Sequence, residues 1–286
     1  MSKSILNNAK ITLRKSAERG HSTELGWLNS YFTFSFAGYH DSRHTQFGSL
    51  RVLNEDRVKP MNGFGTHHHS NAEIFSYILS GELTHRDSMI SKDEGVQSDK
   101  FYRMKRGDVQ FTTGGRGIAH SEMNEQKSEP VHFLQIWALP WKRGLTPRYH
   151  TRHFDDESKR QGFVKILSPL KAGEDATEQQ EQEAEPTVPG TIPIHSDLVM
   201  SAALIAPGKQ FEWIVGANAT QRTKRKVYVH VPMTQKGKAK IRLDGRENAE
   251  LSEGDGAYVD SVNAGDKLTF ESIGEVEAEV VVIDTA

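Results

Sequence analysis

The chain has 286 residues and a formal net charge of -2, so it has no field strong enough to recruit nucleic acid, an anionic membrane or a highly charged substrate. It contains no cysteine, which excludes disulfides, thiolate zinc sites and iron–sulfur clusters. The length suffices for two domains that each bury a core.

The sequence has no apolar run long enough to span a membrane, and its first residues lack the apolar core of a secretory signal. We therefore expect a cytoplasmic protein that is not secreted, with the nucleus as an additional location. Histidine is unevenly distributed, because 11 of the 13 histidines lie at or before His153. Metal chemistry is accordingly expected in the N-terminal half.

The first elements read as strands. Alternation at residues 10–13 predicts an opening strand, and the period-two aromatic pattern of GWLNSYFTFSFAGYH at residues 26–40 predicts a strand with one buried aromatic face. From residue 48 onward, short apolar segments recur about every ten residues between Gly, Pro, Asn and Asp. This rhythm predicts an antiparallel sandwich or barrel.

The segment GFGTHHHSNAEIFSYILSG combines a histidine pattern with a buried strand. Because side chains alternate faces along a strand, His67 and His69 point to one side while His68 points to the other. Glu73 has the same parity as the first pair. The β-branched and aromatic run at residues 74–79 predicts a buried strand that ends at a Ser-Gly turn.

A second segment, GDVQFTTGGRGIAHSEMN, places His120 and Glu122 at the same two-residue spacing. A neighbouring strand can therefore aim one more imidazole and one carboxylate at the histidine pair. Nitrogen and oxygen ligands without sulfur predict a site for a divalent first-row metal. Ligand type by itself leaves iron, nickel, copper, manganese and zinc open.

The two segments resemble the paired motifs of the cupin superfamily, and the forms GFGTHHH and GRGIAHSEM resemble the pirin family more closely. The resemblance continues through GWLNSYFTFSFAGYHD, RVLNEDRV, LTHRDSM and LQIWALP, over roughly the first 155 residues. It implies an all-β chain of two tandem jelly-roll (cupin) barrels. It also implies a metal in the first barrel, held by His67, His69, His120 and Glu122. In many cupins the glutamate of the first motif is itself a metal ligand, so Glu73 is the alternative to Glu122. The pirin-like form implies that Glu73 lies behind the ligands or in the core.

The resemblance implies two competing functions. Enzymatic members cleave flavonols as quercetin 2,3-dioxygenases, which implies a planar aromatic substrate, Fe(II) as the first choice of ion and Glu122 as the catalytic proton acceptor. Animal pirins are described as iron-binding nuclear coregulators, which implies a non-enzymatic metal-binding coregulator or redox sensor with a protein partner. A third hypothesis is an enzyme of this fold that acts on another small substrate. None of these requires a membrane or direct nucleic-acid binding.

Composition divides the rest of the chain. Residues 169–193 are acidic and proline-rich, and they predict a linker or exposed loop that is helical in part over residues 176–184. We therefore expect an N-terminal metal-binding barrel at residues 1–168. Short strands then return, and they predict a second barrel at residues 194–286.

The remaining histidines and one basic cluster have structural interpretations. The second barrel contains only His195 and His230, without an H-x-H pair, so we expect it to be degenerate and to lack a metal site. His85 and His132 lie on strands next to the motifs, where packing or a local hydrogen bond is the expected role; hydrogen-bond donors behind the metal ligands or walls of the pocket are the alternative. The cluster QRTKRK at residues 221–226 predicts a solvated loop.

Overall fold

The computed structural model describes residue 6 and residues 8–89, 101–220 and 224–286. The strands, in chain order, are β1 (Lys10–Arg14), β2 (Gly20–Ser22), β3 (Leu28–Phe32), β4 (Leu50–Val58), β5 (Asn62–His69), β6 (Glu73–Ser80), β7 (Glu82–Asp87), β8 (Tyr102–Lys105), β9 (Asp108–Thr113), β10 (Ile118–Asn124), β11 (Val131–Ala138), β12 (Arg148–His153), β13 (Val164–Pro169), β14 (Ile192–Ile194), β15 (Leu198–Ile205), β16 (Gln210–Ile214), β17 (Lys224–His230), β18 (Lys240–Leu243), β19 (Glu250–Ser252), β20 (Gly256–Asn263), β21 (Lys267–Ser272) and β22 (Ala278–Thr285). The helical elements are a 3-10 turn (Ser16–Glu18), α1 (Asp156–Gln161) and α2 (Glu178–Glu183). Within the described ranges, no helix is long and apolar enough to cross a membrane.

The first half of the chain forms a barrel of two sheets. The seven-stranded sheet has the order β12-β9-β6-β11-β4-β3-β2, and the four-stranded sheet has the order β5-β10-β7-β8. The strand predicted from the run IFSYIL is β6, whose residues before Ser80 are all buried. The strands β5 and β10, which carry the two histidine motifs, are neighbours in the four-stranded sheet.

The second barrel repeats this plan, with sheets ordered β1-β20-β17-β22-β15-β13-β14 and β16-β21-β18-β19. The predicted all-β fold of two tandem jelly-roll barrels is therefore confirmed. Three strands of the second barrel begin before residue 194, because β1 pairs with β20, β13 pairs with β15 and β14 pairs with β13. The division into residues 1–168, 169–193 and 194–286 stays a prediction, and the backbone pairing of these strands crosses its boundaries.

The aromatic segment at residues 26–40 joins the cores of the two barrels. Its strand, β3, ends at Phe32 and is shorter than the alternation predicts. The predicted buried aromatic face is present, since Phe32 and Phe34 are only 8% and 1% exposed. The ring of Phe34 lies 6.0 Å from the ring of Tyr228 in the second barrel. Aromatic burial in this segment therefore stabilises the contact between barrels as well as the first barrel itself.

The acidic segment at residues 169–193 contains helix α2, so the predicted partial helicity is confirmed. Thr177 and Gln180 form a capping box that satisfies the first backbone N–H groups of the helix. Glu181 is buried, and its Oε1 lies 2.6 Å from Nζ of Lys142. This ion pair anchors the segment to the loop that follows β11.

The basic cluster at residues 221–226 departs from the predicted solvated loop. Residues 221–223 lie outside the described residues, but residues 224–226 begin β17. Arg225 is 1% exposed, with Nε 2.9 Å from Asp284 and Nη1 2.7 Å from Asp197. Because alternate side chains of a strand face the interior, the central cation of this cluster pairs with one buried and one partly buried carboxylate and belongs to the core of the second barrel.

Candidate metal centre

Strands β5 and β10 bring the two histidine motifs side by side. They pair antiparallel, with His67 opposite His120, and a bulge interrupts the register between His120 and Glu122. His67 and His69 are half-buried and His120 is 2% exposed, whereas His68 is exposed. Strand alternation thus sends the first pair toward His120 and its intervening neighbour toward solvent.

The three imidazoles of His67, His69 and His120 form one cluster, whose ligand atoms all lie within 4.8 Å of one another. The Nε2 atoms of His67 and His120 are 3.0 Å apart. Two ring nitrogens at this distance must share either a proton or a cation, because two lone pairs cannot face each other without cost. A third imidazole converging on the same point favours a cation, and this donor set suits iron, nickel, copper or zinc.

Burial keeps two of these imidazoles neutral. Burial, with a smaller contribution from the neighbouring histidines, lowers the pKa of His69 to about 4 and that of His120 to about 2. At pH 7 both side chains therefore carry a free lone pair for a cation. A divalent metal has no proton to displace at these two positions.

Glu122 lies on the same strand, but its carboxylate is not part of the three-histidine group. The side chain is fully buried, with Oε1 accepting a hydrogen bond from Oγ of Ser76 at 2.9 Å and Oε2 accepting one from Nε2 of Gln135 at 3.2 Å. Burial raises the pKa of Glu122 above its ordinary value, against the effect of these hydrogen bonds. Each carboxylate oxygen keeps a further lone pair, which is available to a metal or a proton. The roles of Glu122 as ligand and proton acceptor stay predictions.

Glu73, the alternative ligand, begins β6 in the other sheet of the barrel. Its Oε2 accepts a hydrogen bond from Oγ1 of Thr113 at 3.2 Å, and its Oε1 lies 3.6 Å from Nδ1 of His195 in the second barrel. The residue is completely buried. These contacts make Glu73 a core residue at the junction of the barrels.

Strand β7 places two more polar side chains behind His120. In the pairing of β7 with β10, Asp87 is opposite His120 and His85 is opposite Glu122. His85, Asp87 and His120 form a second group with ligand atoms within 4.8 Å of one another. The prediction for His85 includes a role behind the ligands, whereas Asp87 was not predicted, although their two-residue spacing in LTHRDSM is the same signal that marks the two histidine motifs.

Tyr149 is a further neighbour that sequence analysis missed. Its hydroxyl oxygen lies 3.2 Å from Nδ1 of His85, and its ring stacks on that of Tyr102. Tyr149 belongs to β12 in the seven-stranded sheet, whereas His85 belongs to the four-stranded sheet. The contact depends on how the two sheets face each other, and no local pattern in the sequence carries that information.

An aromatic wall and a cleft flank the histidine cluster. The ring of Trp137 lies 4.8 Å from that of His69 and 5.3 Å from that of Phe36. A cleft of ≈ 400 Å³ borders the cluster at His69, and its volume is within the size range of small-molecule sites. It is lined by His68, His69, Ser70, Ser88, Gly117, Ile118 and Ala119.

Comparison with known proteins assigns the chain to a family. The family model for pirin matches residues 12–138. A relative from Zymomonas mobilis, provisionally named a quercetin 2,3-dioxygenase, is 32% identical over 260 residues, which cover 91% of this chain and 92% of the relative. The chain belongs to the pirin family. The predicted family is thus confirmed.

Two further comparisons are with proteins of Escherichia coli. The Escherichia coli protein named quercetin 2,3-dioxygenase is 43% identical over 159 residues, or 56% of this chain, and the match spans 63% of the Escherichia coli protein. The crystal structure of the bacterial pirin YhhW from Escherichia coli in complex with nickel(II) matches with a TM-score of 0.75 at 29% identity, over 96% of this chain and 99% of that chain. The two-barrel fold and a three-histidine group able to hold a divalent metal are therefore found together in this pirin-family chain.

Proposed function

We propose that this pirin-family chain is a metal-dependent dioxygenase that cleaves a flavonol such as quercetin, with the metal held by His67, His69, His120 and Glu122. The observation that carries the proposal is the three-histidine cluster, in which the Nε2 atoms of His67 and His120 lie 3.0 Å apart. The Escherichia coli relative named quercetin 2,3-dioxygenase supports the choice of reaction.

Fe(II) is the ion we expect, and nickel(II), which the YhhW structure contains, is the first alternative. Copper, manganese and zinc share the same ligand preferences closely enough to be tested as well. When bound, a divalent cation supplies Lewis acidity that lowers the pKa of a coordinated hydroxyl and favours the flavonolate form of the substrate.

The chain itself would orient the substrate and take its proton. The ring of Trp137 lies against His69 and that of Phe36 lies against Trp137, which gives an apolar aromatic surface against which a planar ring can pack. Glu122 would accept the proton of the flavonol 3-hydroxyl. Its hydrogen bonds to Ser76 and Gln135 fix the carboxylate, and the apolar burial that favours its protonated form makes it a better proton acceptor than a solvated glutamate.

The test is anaerobic loading of metal-free protein with Fe(II) and, in parallel samples, with each of the other ions. Oxygen and quercetin are then added while flavonol absorbance and released carbon monoxide are measured. We expect metal-dependent loss of quercetin with release of carbon monoxide, and neither in His120→Ala. Glu122→Gln separates the two roles of that residue, since loss of turnover with metal retained would identify a proton acceptor.

The contrary result is equally definite. Stoichiometric binding of every ion without quercetin loss would overturn the dioxygenase proposal and favour the coregulator hypothesis. Turnover of another small phenol in a substrate screen, at a rate well above that of quercetin, would instead favour the third hypothesis.

A further inference from the structure

We propose that His85 and Tyr149 are positioning residues that fix the tautomer and the ring orientation of His120. The inference rests on the proposed metal centre, because it takes His120 as a ligand through Nε2, and it is independent of the substrate. Neither residue belongs to the three-histidine cluster that would bind the metal, so both act through His120.

A continuous line of contacts leads away from the cluster. Nε2 of His120 faces Nε2 of His67 at 3.0 Å, and Nδ1 of His120 lies 3.0 Å from Nε2 of His85. Nδ1 of His85 then lies 3.2 Å from the hydroxyl oxygen of Tyr149. His85 and His120 are 0% and 2% exposed, so solvent cannot replace these partners.

One requirement at the metal determines every proton along this line. Ligation through Nε2 leaves Nδ1 as the only position for the proton of a neutral His120. That N–H must donate to Nε2 of His85, which therefore carries a lone pair. The proton of His85 is then on Nδ1, where it donates to the hydroxyl oxygen of Tyr149. The opposite tautomers would direct an N–H of His120 at the metal and prevent ligation.

Ring packing holds the same orientation. The rings of His85 and His120 are nearly perpendicular at 4.9 Å, and the ring of Tyr149 lies 5.4 Å from that of His85. Because β7 and β12 belong to the two different sheets of the barrel, His120 is supported through His85 from both of them. A ligand held from behind loses less conformational entropy on binding the metal.

A carboxylate often accepts the second N–H of a metal-bound histidine, but the hydrogen bonds to the nearby Asp87 come from other donors. It accepts hydrogen bonds from Oγ1 of Thr112 at 3.1 Å and from the backbone N–H of Met89 at 2.8 Å. The Nδ1–Nε2 contact therefore leaves His85 as the acceptor for His120. A second cation between His85, Asp87 and His120 would need a lone pair on Nδ1 of His120, which a neutral Nε2-bound imidazole does not have.

The test compares His85→Leu, His85→Gln and Tyr149→Phe, with zinc(II) as a diamagnetic probe metal. We expect His85→Leu to weaken zinc binding, measured by chelator competition, by about 10–100-fold. His85→Gln, which keeps an amide acceptor, should recover part of that loss. Tyr102→Phe is the matched control, because it removes an exposed hydroxyl from the ring stacked on Tyr149 and should change nothing.

Nitrogen-15 NMR of the zinc-loaded protein provides a readout that a merely structural role would not change. We expect His120 as the Nδ1–H tautomer with a slowly exchanging proton, and faster exchange of that proton in His85→Leu and Tyr149→Phe. If His85→Leu does not fold, the exchange rate of the same proton in His85→Gln and Tyr149→Phe tests the inference.

Four results would overturn the inference: zinc ligation through Nδ1 of His120, uptake of a second zinc ion, unchanged proton exchange in all three variants, or no zinc uptake by the unsubstituted chain. The last would also remove the metal centre. Normal zinc affinity and the expected tautomer, together with absence of quercetin turnover on Fe(II) or nickel(II), would overturn the dioxygenase proposal alone.

Discussion

Nε2 of His230 in the second barrel donates a hydrogen bond to Oε2 of Glu55 in the first, at 3.0 Å, and both side chains are fully buried. The same carboxylate lies 2.8 Å from Nε2 of His132 and 3.3 Å from Nη1 of Arg19. Although burial opposes ionisation, these contacts hold the pKa of Glu55 well below its ordinary value. The carboxylate is thus the buried counter-charge where the two barrels meet.

His195 has a parallel role, since its Nδ1 lies 3.6 Å from Oε1 of Glu73 in the first barrel. Both histidines of residues 194–286 therefore contact a glutamate of the other barrel. Their wide separation in sequence reflects two separate contacts between the barrels.

The first prediction concerns Glu55. We expect Glu55→Gln to lower the free energy of unfolding by about 3–5 kcal/mol, because Arg19 would keep a buried charge without a counter-charge. Urea titration monitored by tryptophan fluorescence measures this loss. Arg43→Gln is the control, because the Arg43–Asp41 pair is at the surface, where solvent screens the charges, and its loss should cost far less stability than the loss of Glu55. Equal effects from the two substitutions would contradict the structural role assigned to Glu55.

The second prediction separates the faces of β5. We expect His69→Ala to lose stoichiometric metal with the barrels still folded, since His69 is one of three converging imidazoles. His68→Ala changes an exposed side chain on the same strand and should bind metal normally. Metal analysis after dialysis, with far-UV circular dichroism for the fold, tests both variants. Stoichiometric metal in His69→Ala would show that the ligand assignment is wrong.

The third prediction tests how closely β5 must approach β10. A Cβ added at Gly63 would lie 2.2 Å from the backbone oxygen of Glu122, so Gly63→Ala must force the two strands apart. We expect a loss of about 1–3 kcal/mol in stability and weaker metal binding, because the strand separation displaces His67 from His120. A Cβ at Gly65 on the same strand would meet nothing within 4 Å, so Gly65→Ala should leave metal affinity unchanged.

The fourth prediction is a pH dependence at Asp56, whose hydrogen-bond partner is Ser30. Burial raises the pKa of Asp56 from 3.8 to about 7. Between these values the unfolded chain releases a proton that the folded chain keeps, so this group makes stability fall as pH rises through the window and has no further effect above it.

Asp56→Asn removes this titration. We therefore expect the variant to gain stability relative to the unsubstituted chain as pH rises from about 4 to about 7, by on the order of 4 kcal/mol. Thermal unfolding of the metal-free proteins across this range measures the difference. A gap between the two curves that does not change with pH would contradict the assigned pKa.

Local patterns in the sequence were sufficient for part of the site. The alternation of side chains along a strand predicted that His67 and His69 share a face and that His120 can join them from a neighbouring strand, and the structure brings the three together. The regular spacing of short apolar segments predicted the all-β class. The interpretation from charge failed at residues 224–226, where a basic cluster suggested solvent but Arg225 pairs with Asp284 and Asp197 in the core.

The sequence by itself therefore determined the strand periodicity, the face on which each motif histidine lies, the absence of cysteine ligands and the resemblance to the pirin family. Only the tertiary structure decided that β1 joins the second barrel, that Glu55 meets His230, and that Tyr149 supports His120 through His85. The physical reason is the separation of the interacting residues along the sequence. Alternation acts between adjacent residues of one strand, whereas these contacts depend on which remote strands pair and which sheet faces pack together.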